Sequence, residues 1–259
     1  MLIGAFDAET PDIETASAGY AERFSGSLGQ FFLDTQARAV VDLLAPWPKA
    51  RVLDVGGGHA QTAGVILGSG REVTVAGSGE ASRQRLDRLL PRGSFQFQTC
   101  NLLALPFEDR SFDVALAFRL LPHVRRWETL IAELCRVSAH AVIIDYPDWR
   151  SFNLLSVPLF RLKKSIEGNT RPFRCFHGRE LRREFASHGF GSPAVRRQFF
   201  FPMALHRALG RAGFSRLLES CGSATGLTAV FGSPVVLRVL AQAPAAPPPA
   251  PAAPGEPRD

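Results

Sequence analysis

Apolar residues along this chain switch between two spacings. Short β-like runs at 51–55, 72–76, 95–97, 112–118, 141–145, 194–201 and 233–240 are separated by stretches whose apolar residues fall three and four apart, as on one face of a helix. Strands alternating with helices imply an α/β domain with a largely parallel, doubly wound sheet, because parallel neighbours need a crossover. Such sheets bind ligands outside the carboxyl ends of their strands, which makes the strand-end residues the ones to inspect. Ahead of the first strand, Tyr20 to Leu44 has helical spacing broken near Ser25-Gly26-Ser27 and stopped by Pro46 and Pro48, which predicts two helices. Their aromatic face, Phe24, Leu28, Phe31, Phe32 and Leu33, suits either packing on the sheet or a lid over the strand ends. Further helices are expected over 179–188, closed by Gly189, and over about 204–219.

The partition that follows has a flexible N-terminus at 1–14 and one domain at 15–240, with a helical lid at 15–45 and an insertion at 147–177. An alanine and proline tail at 241–259, poor in apolar bulk, is expected to be disordered. With 259 residues, 46% of them hydrophobic, the chain has enough material for one α/β core and too little for two catalytic domains. Cys100, Cys135, Cys175 and Cys221 form no C-x-x-C pair and have no histidine at zinc spacing, so reduced thiols and no metal site are expected. No basic and apolar leader and no bilayer-length apolar run is visible, which points to a cytoplasmic location.

Candidate chemistry concentrates where the first strand ends. In Arg51-Val-Leu-Asp-Val-Gly-Gly-Gly-His-Ala60 an acid, Asp54, stands two residues before Gly56, Gly57 and Gly58, a turn that lets backbone approach a ligand without Cβ obstruction. A helix is expected to begin near His59. The dinucleotide fingerprint G-x-G-x-x-G fails, since Gln61 occupies the place of its third glycine, and this argues against a nicotinamide-dependent reductase.

Downstream come Leu105-Pro-Phe-Glu-Asp-Arg-Ser-Phe-Asp-Val, a helix carrying Glu133 and Arg136-Val137, and the strand Ala141-Val-Ile-Ile-Asp145. In this order and at about this spacing, from Tyr20 to Leu240, the chain resembles the class I S-adenosylmethionine-dependent methyltransferases. The resemblance implies a Rossmann-like seven-stranded sheet, mostly parallel with an antiparallel last strand, and S-adenosyl-L-methionine as cofactor. It places Tyr20, Asp54, Gly56, Gly57, Gly58, Gly77, Asn101, Leu102 and Phe118 around that cofactor. Several positions depart from the family pattern. Gly77 stands where an acid usually accepts the ribose hydroxyls, Asn101 replaces an aspartate beside the adenine, and Ala60 replaces the third glycine of the turn. Ser138-Ala-His140 stands in place of a proline-glycine-glycine turn before the fifth strand. Without the ribose acid, a cofactor-impaired binding or scaffold module is the alternative to an active enzyme.

Methyl transfer from a sulfonium asks mainly for approach geometry, and for a base only when the nucleophile must lose a proton. Candidates after the fourth and fifth strands are His123, Asp145 and Tyr146. The acceptor is expected beneath the insertion. From Ser151 to Phe200 there are ten Lys or Arg and three Glu, a net +7 in a chain of net +6. Such a window suits an acceptor bearing an anionic group, with Arg171, Arg174 and His177 as the contacts, or simply solvated helix faces. No nucleic-acid-binding module is recognisable, and the apolar run 152–160 beside Arg161 and Lys163 fits a small or lipid-like acceptor better.

Overall fold

The computed structural model of the chain describes residues 9–151 and 173–242. Seven strands form one sheet: β1 (Arg51–Val55), β2 (Glu72–Gly77), β3 (Gln96–Thr99), β4 (Phe112–Ala117), β5 (Ser138–Tyr146), β6 (Phe190–Phe199) and β7 (Ser233–Ala241). Their order is β3-β2-β1-β4-β5-β7-β6. The first five are parallel, and β7 runs antiparallel between β5 and β6. This is the mostly parallel Rossmann-like sheet expected. The chain winds outward from β1 in one direction and from β4 in the other, so the crevice between those two carboxyl ends is the topological switch point.

Helices cover both faces. They are α1 (Asp12–Thr15), α2 (Ala18–Glu22), α3 (Gly26–Leu44), α4 (Gln61–Gly68), α5 (Glu80–Leu89), α6 (Trp127–Val137), α7 (Gly178–Ser187), α8 (Met203–Leu209), α9 (Ala212–Ala224) and α10 (Leu227–Phe231). Strand alternation sends Val52, Val75, Leu116 and Ile143 to one face, under Val40, Leu43 and Leu44 of α3 and Ala63 and Ile66 of α4. Leu53, Ala115, Val142 and Ile144 go to the other, under Leu130, Ile131 and Leu134 of α6 and Leu181 and Phe185 of α7. Arg71, almost fully buried, closes the end of α3 by donating to the carbonyls of Leu44 and Trp47, both at 2.8 Å.

The motif pieces at 105–107 and 133–137 prove to be one device. Arg136 donates to the carbonyls of Phe107 (2.7 Å) and Leu105 (2.9 Å), and Glu133 accepts from the Leu105 amide at 2.6 Å. Together they staple the loop ahead of β4 to α6.

The fold differs from the sequence expectation at five places. Ser138-Ala-His140 is the start of β5 and forms no turn; α6 runs straight into the strand, and the Ser138 hydroxyl donates to the Leu134 carbonyl. α4 starts at Gln61, after a 3₁₀ turn at Gly57–His59 and a left-handed Ala60 (φ +62°). The helix expected over 204–219 breaks at Gly210 (φ +63°) into α8 and α9, and α10 follows. β6 begins before Pro193, because an edge strand with a register shift between Gly191 and Ala194 accommodates a residue lacking an N–H. Residues 9–14 of the segment read as flexible carry α1, whose Asp12 is wholly buried. Residues 243–259 of the tail lie outside the described residues.

Candidate active site

At the end of β1 the chain turns at Gly56 (φ +75°), which only glycine adopts without strain. Side chains fill the space around the turn. A Cβ on Gly57 would overlap the Asp54 carboxylate, and one on Gly58 would overlap Ser82 of α5. Backbone thus comes closer to its neighbours here than any other residue type allows.

Asp54 points to the α3/α4 face and is fully buried, and neither carboxylate oxygen has a hydrogen-bond partner. Burial pushes its pKa from an ordinary 3.8 to about 8. The carboxyl is thus a buried polar group without a partner, able to bond a group that enters beside it. His59 beside it is also buried. Its Nδ1 accepts from the Gln61 amide at 3.2 Å, and loss of hydration followed by the charge of Arg119 lowers it to about 3, against a backbone hydrogen bond at Phe118 that raises it. It is therefore a neutral ring.

At the end of β2, a side chain on Gly77 would meet the far edge of the Phe97 ring and Ser82, so the ring would have to move to admit an acid. A carboxylate arrives instead from the N-terminal segment. Asp12 accepts from the Ser78 amide at 2.9 Å, from the Ser78 hydroxyl, and from the Ser82 hydroxyl at 3.1 Å. Glu9 anchors the same segment across the sheet by accepting from the Arg125 amide at 2.6 Å and the Arg126 amide at 3.2 Å. The strap 9–16 accordingly crosses the strand ends from the loop after β4 to β2. Asn101, past β3, spends its side-chain oxygen on the Leu103 amide at 3.0 Å, and Leu102 is buried in the core.

After β4 come buried Phe118 and half-buried Arg119, the latter in the left-handed region at φ +57°. The Arg119 amide donates to Asp145 Oδ1 at 2.6 Å, and its guanidinium donates to Gln61 Oε1 and to Gln36 Oε1, the latter at 2.7 Å. The guanidinium lies 3.9 Å from the centre of the Phe24 ring. Tyr20 reaches the same place through Phe24, with its ring 5.7 Å from that of Phe24. Asp145 is raised to about 6, burial outweighing its bond to the Arg119 amide and the Arg119 charge.

The three residues considered for proton transfer are not grouped. Asp145 faces α3 and α4 beside Arg119, whereas Tyr146, one position on, points to the opposite face into the α6/α7 core. Burial moves the Tyr146 phenol up to about 12. His123 ends a 3₁₀ turn after β4, with its ring 5.7 Å from Phe173. Of the acceptor candidates, Arg171 lies outside the described residues, as does the apolar run 152–160. Arg174 pairs with Glu180, rests 5.0 Å from the Trp127 and Phe176 rings, and donates its amide to the Pro122 carbonyl at 2.9 Å. His177 precedes α7 and stacks on Trp149. The two ends of the 147–177 excursion are bound to each other through the Phe176 amide and the Pro147 carbonyl (2.9 Å), and Asp148 is pinned by Arg197 at 2.8 Å.

Asp12, Gln36 and Arg119 were not singled out from sequence. Each is polar within an otherwise apolar pattern, a signal too common to pick them out until the fold brings them to one crevice.

A family profile described as a methyltransferase domain matches residues 53–142, which run from β1 through the glycine turn and the Arg136 staple into β5. Over that span the chain is similar to a methyltransferase domain. The O-methyltransferase cnsE of Penicillium expansum is 33% identical over 109 residues, 40% of either chain, so the chain spans about 40% of the length of that curated relative. Among solved structures, an S-adenosylmethionine-dependent methyltransferase of Thermotoga maritima aligns at TM-score 0.58 and 16% identity, over 90% of this chain and 99% of the other. The magnesium protoporphyrin IX methyltransferase of Synechocystis, solved with bound S-adenosylhomocysteine, aligns at 0.57 and 14%, over 88% and 97%. These likenesses show the class I Rossmann-like methyltransferase fold around the domain. Among the described residues there is no metal-binding cluster, and no helix is long and apolar enough to cross a membrane.

Proposed function

We propose that the protein is an S-adenosylmethionine-dependent methyltransferase acting on a hydroxyl of a small or lipid-like molecule. The observation that carries this reading is Asp54, buried beside a glycine turn at the switch point with two acceptor oxygens and no donor. The ammonium of the cofactor's amino-acid end is a donor of the required charge, and it would draw the carboxyl into its ionised form. The left-handed Gly56 turns the chain beside the same ligand, with Tyr20 and Phe118 as apolar walls. Asp12 takes the part of the acid missing at Gly77, since its carboxylate sits at the end of β2 on Ser78. The preference for oxygen follows the O-methyltransferase relatives.

When bound, the cofactor supplies an electrophilic methyl group. The chain's own contribution is to exclude water, hold the acceptor in line and receive the hydroxyl proton. Asp145 is placed for that last role, with a carboxyl raised to about 6 and one oxygen fixed by the Arg119 amide. His123 is the second candidate and Tyr146, turned to the other face, the third. Arg174 and His177 are the acceptor contacts among the described residues.

Incubation of the full chain with methyl-labelled S-adenosylmethionine and a panel of phenolic and lipid-like alcohols tests the reading. Label in an organic product supports it. Tight binding of S-adenosylhomocysteine with no transfer to any acceptor would favour the scaffold alternative.

A further inference from the structure

We propose that the outward faces of α9 and α10 dock on the surface of an anionic lipid bilayer. β5 and β6 both run antiparallel to β7, so β6 ends at the same edge of the sheet as β5, the edge that holds the crevice. From there α8, α9 and α10 form a helical cap before the chain re-enters the sheet at β7.

The cap carries its apolar residues on the outside. On α9, Ala212, Ser215, Glu219 and Gly222 face inward at helical spacing, whereas Phe214, Leu217 and Cys221 are exposed on another side. α10 repeats the pattern within its five residues: Thr228 is buried, and Leu227, Val230 and Phe231 are exposed. The inner faces are small and polar because of what they meet. Glu219 accepts from the amides of Phe200 (2.8 Å) and Phe201 (3.0 Å) past the end of β6, and lies 2.8 Å from His206 Nε2 of α8. A Cβ on Gly222 would come within 3.1 Å of Phe200 and of Thr228, so α9 lies close against both. The side of α9 that an amphipathic helix would normally bury is left to solvent. Leu205 of α8 is exposed as well, so six of the ten large apolar side chains exposed among the described residues fall within 205–231. The other four, Ile13, Val41, Leu89 and Phe173, come from four separate segments. Apolar exposure concentrated in this way marks a contact surface.

Charge selects the occupant. Residues 200–232 hold Arg207, Arg211 and Arg216, all exposed, and one acid, Glu219, which is turned inward. Apolar side chains accompanied by cations, with no acid of the cap at the surface, match a bilayer with anionic headgroups. The apolar residues enter the acyl boundary and the guanidinium groups meet the phosphates. A second copy docking by a two-fold contact would instead bring the same cations together with no acid of the cap between them. A bilayer at this edge of the sheet also lies at the crevice end, where a lipid-like acceptor would enter.

Vesicle binding by the full chain needs neither cofactor nor acceptor, so its failure leaves the functional reading standing. The protein is sedimented with vesicles of pure phosphatidylcholine and with vesicles of equal parts phosphatidylglycerol and phosphatidylcholine. Wild type is expected to bind the mixed vesicles about tenfold more tightly than the neutral ones. Arg207→Gln with Arg211→Gln should weaken that binding about tenfold, and Phe214→Gln with Leu217→Gln should weaken it by at least as much. All four side chains are exposed, so the far-UV dichroism of both variants is expected to match wild type. An environment-sensitive dye on Cys221, the exposed cysteine, should brighten and shift to the blue when mixed vesicles are added, and this readout leaves the arginines and the apolar face unchanged.

Absence of binding by wild type, equal binding to both kinds of vesicle, full binding retained by the Phe214→Gln, Leu217→Gln variant, or an unchanged dye signal overturns the proposal. So does a concentration-dependent dimer that this variant disperses, because a second copy then covers the face.

Discussion

Asp54→Asn removes one buried ionisable group and keeps the shape of the side chain. Burial moves the Asp54 carboxyl from 3.8 to about 8. The sign follows from proton counting. At pH values between the two, the folded protein keeps a proton that the unfolded chain has lost, so stability falls as pH rises, by about 1.4 kcal/mol per pH unit. Below about pH 4 both states are protonated and above about pH 8 both are ionised, so the effect begins and ends there. Across the whole window wild type loses on the order of 5 kcal/mol, a large part of the stability of a domain this size. Asparagine has no such slope. Urea denaturation of both proteins at about pH 5 and about pH 8 is expected to show wild type losing on the order of 4 kcal/mol more than the variant. Equal pH dependence of the two would refute the reasoning, because it would mean that the carboxylate has a donor or solvent in the folded state. The same logic reaches the ligand. An ammonium arriving at Asp54 ionises it, so S-adenosylhomocysteine binding near pH 7 should release a proton, seen as a buffer-dependent heat that Asp54→Asn abolishes.

Asp12→Ala is expected to weaken S-adenosylhomocysteine about tenfold by titration calorimetry, as loss of a charge-assisted acceptor at the end of β2 would; tighter binding would show that the strap obstructs the crevice. Arg136→Met should cost about 2 kcal/mol in denaturant unfolding, because Glu133 and the carbonyls of Leu105 and Phe107 lose their partner, and an unchanged midpoint would contradict the staple. With Asp145 as proton acceptor, kcat/KM rises as pH increases through about 6, since only the ionised carboxylate accepts. Asp145→Asn should remove that limb, and a profile that survives the change shifts the role to His123.

The strands were readable because burial on both faces leaves continuous apolar runs: β1, β2, β4 and β7 fall within two residues of their expected ends. Asp54 and the glycine turn were readable for a related reason, since a close backbone approach restricts residue type over consecutive positions. The turn expected at Ser138-Ala-His140 was misplaced because nothing local signals that α6 passes into β5 without a loop. The acid at the end of β2 was invisible for a different cause. Asp12 lies 66 residues from its partner Ser78 along the chain, and only the strap brings them together. The dense window at 151–200 is the opposite case, because its basic residues crowd one segment of the sequence. Of that window, Arg174 and Arg197 are tied to Glu180 and Asp148.

The most direct measurement is a crystal structure of the full chain grown with S-adenosylhomocysteine. The account predicts adenosine density over the ends of β1 and β2, with the amino group beside Asp54 and a ribose hydroxyl toward Asp12. Density elsewhere, or a strand-end crevice that stays closed by the strap and Leu120 at saturating ligand, would contradict it.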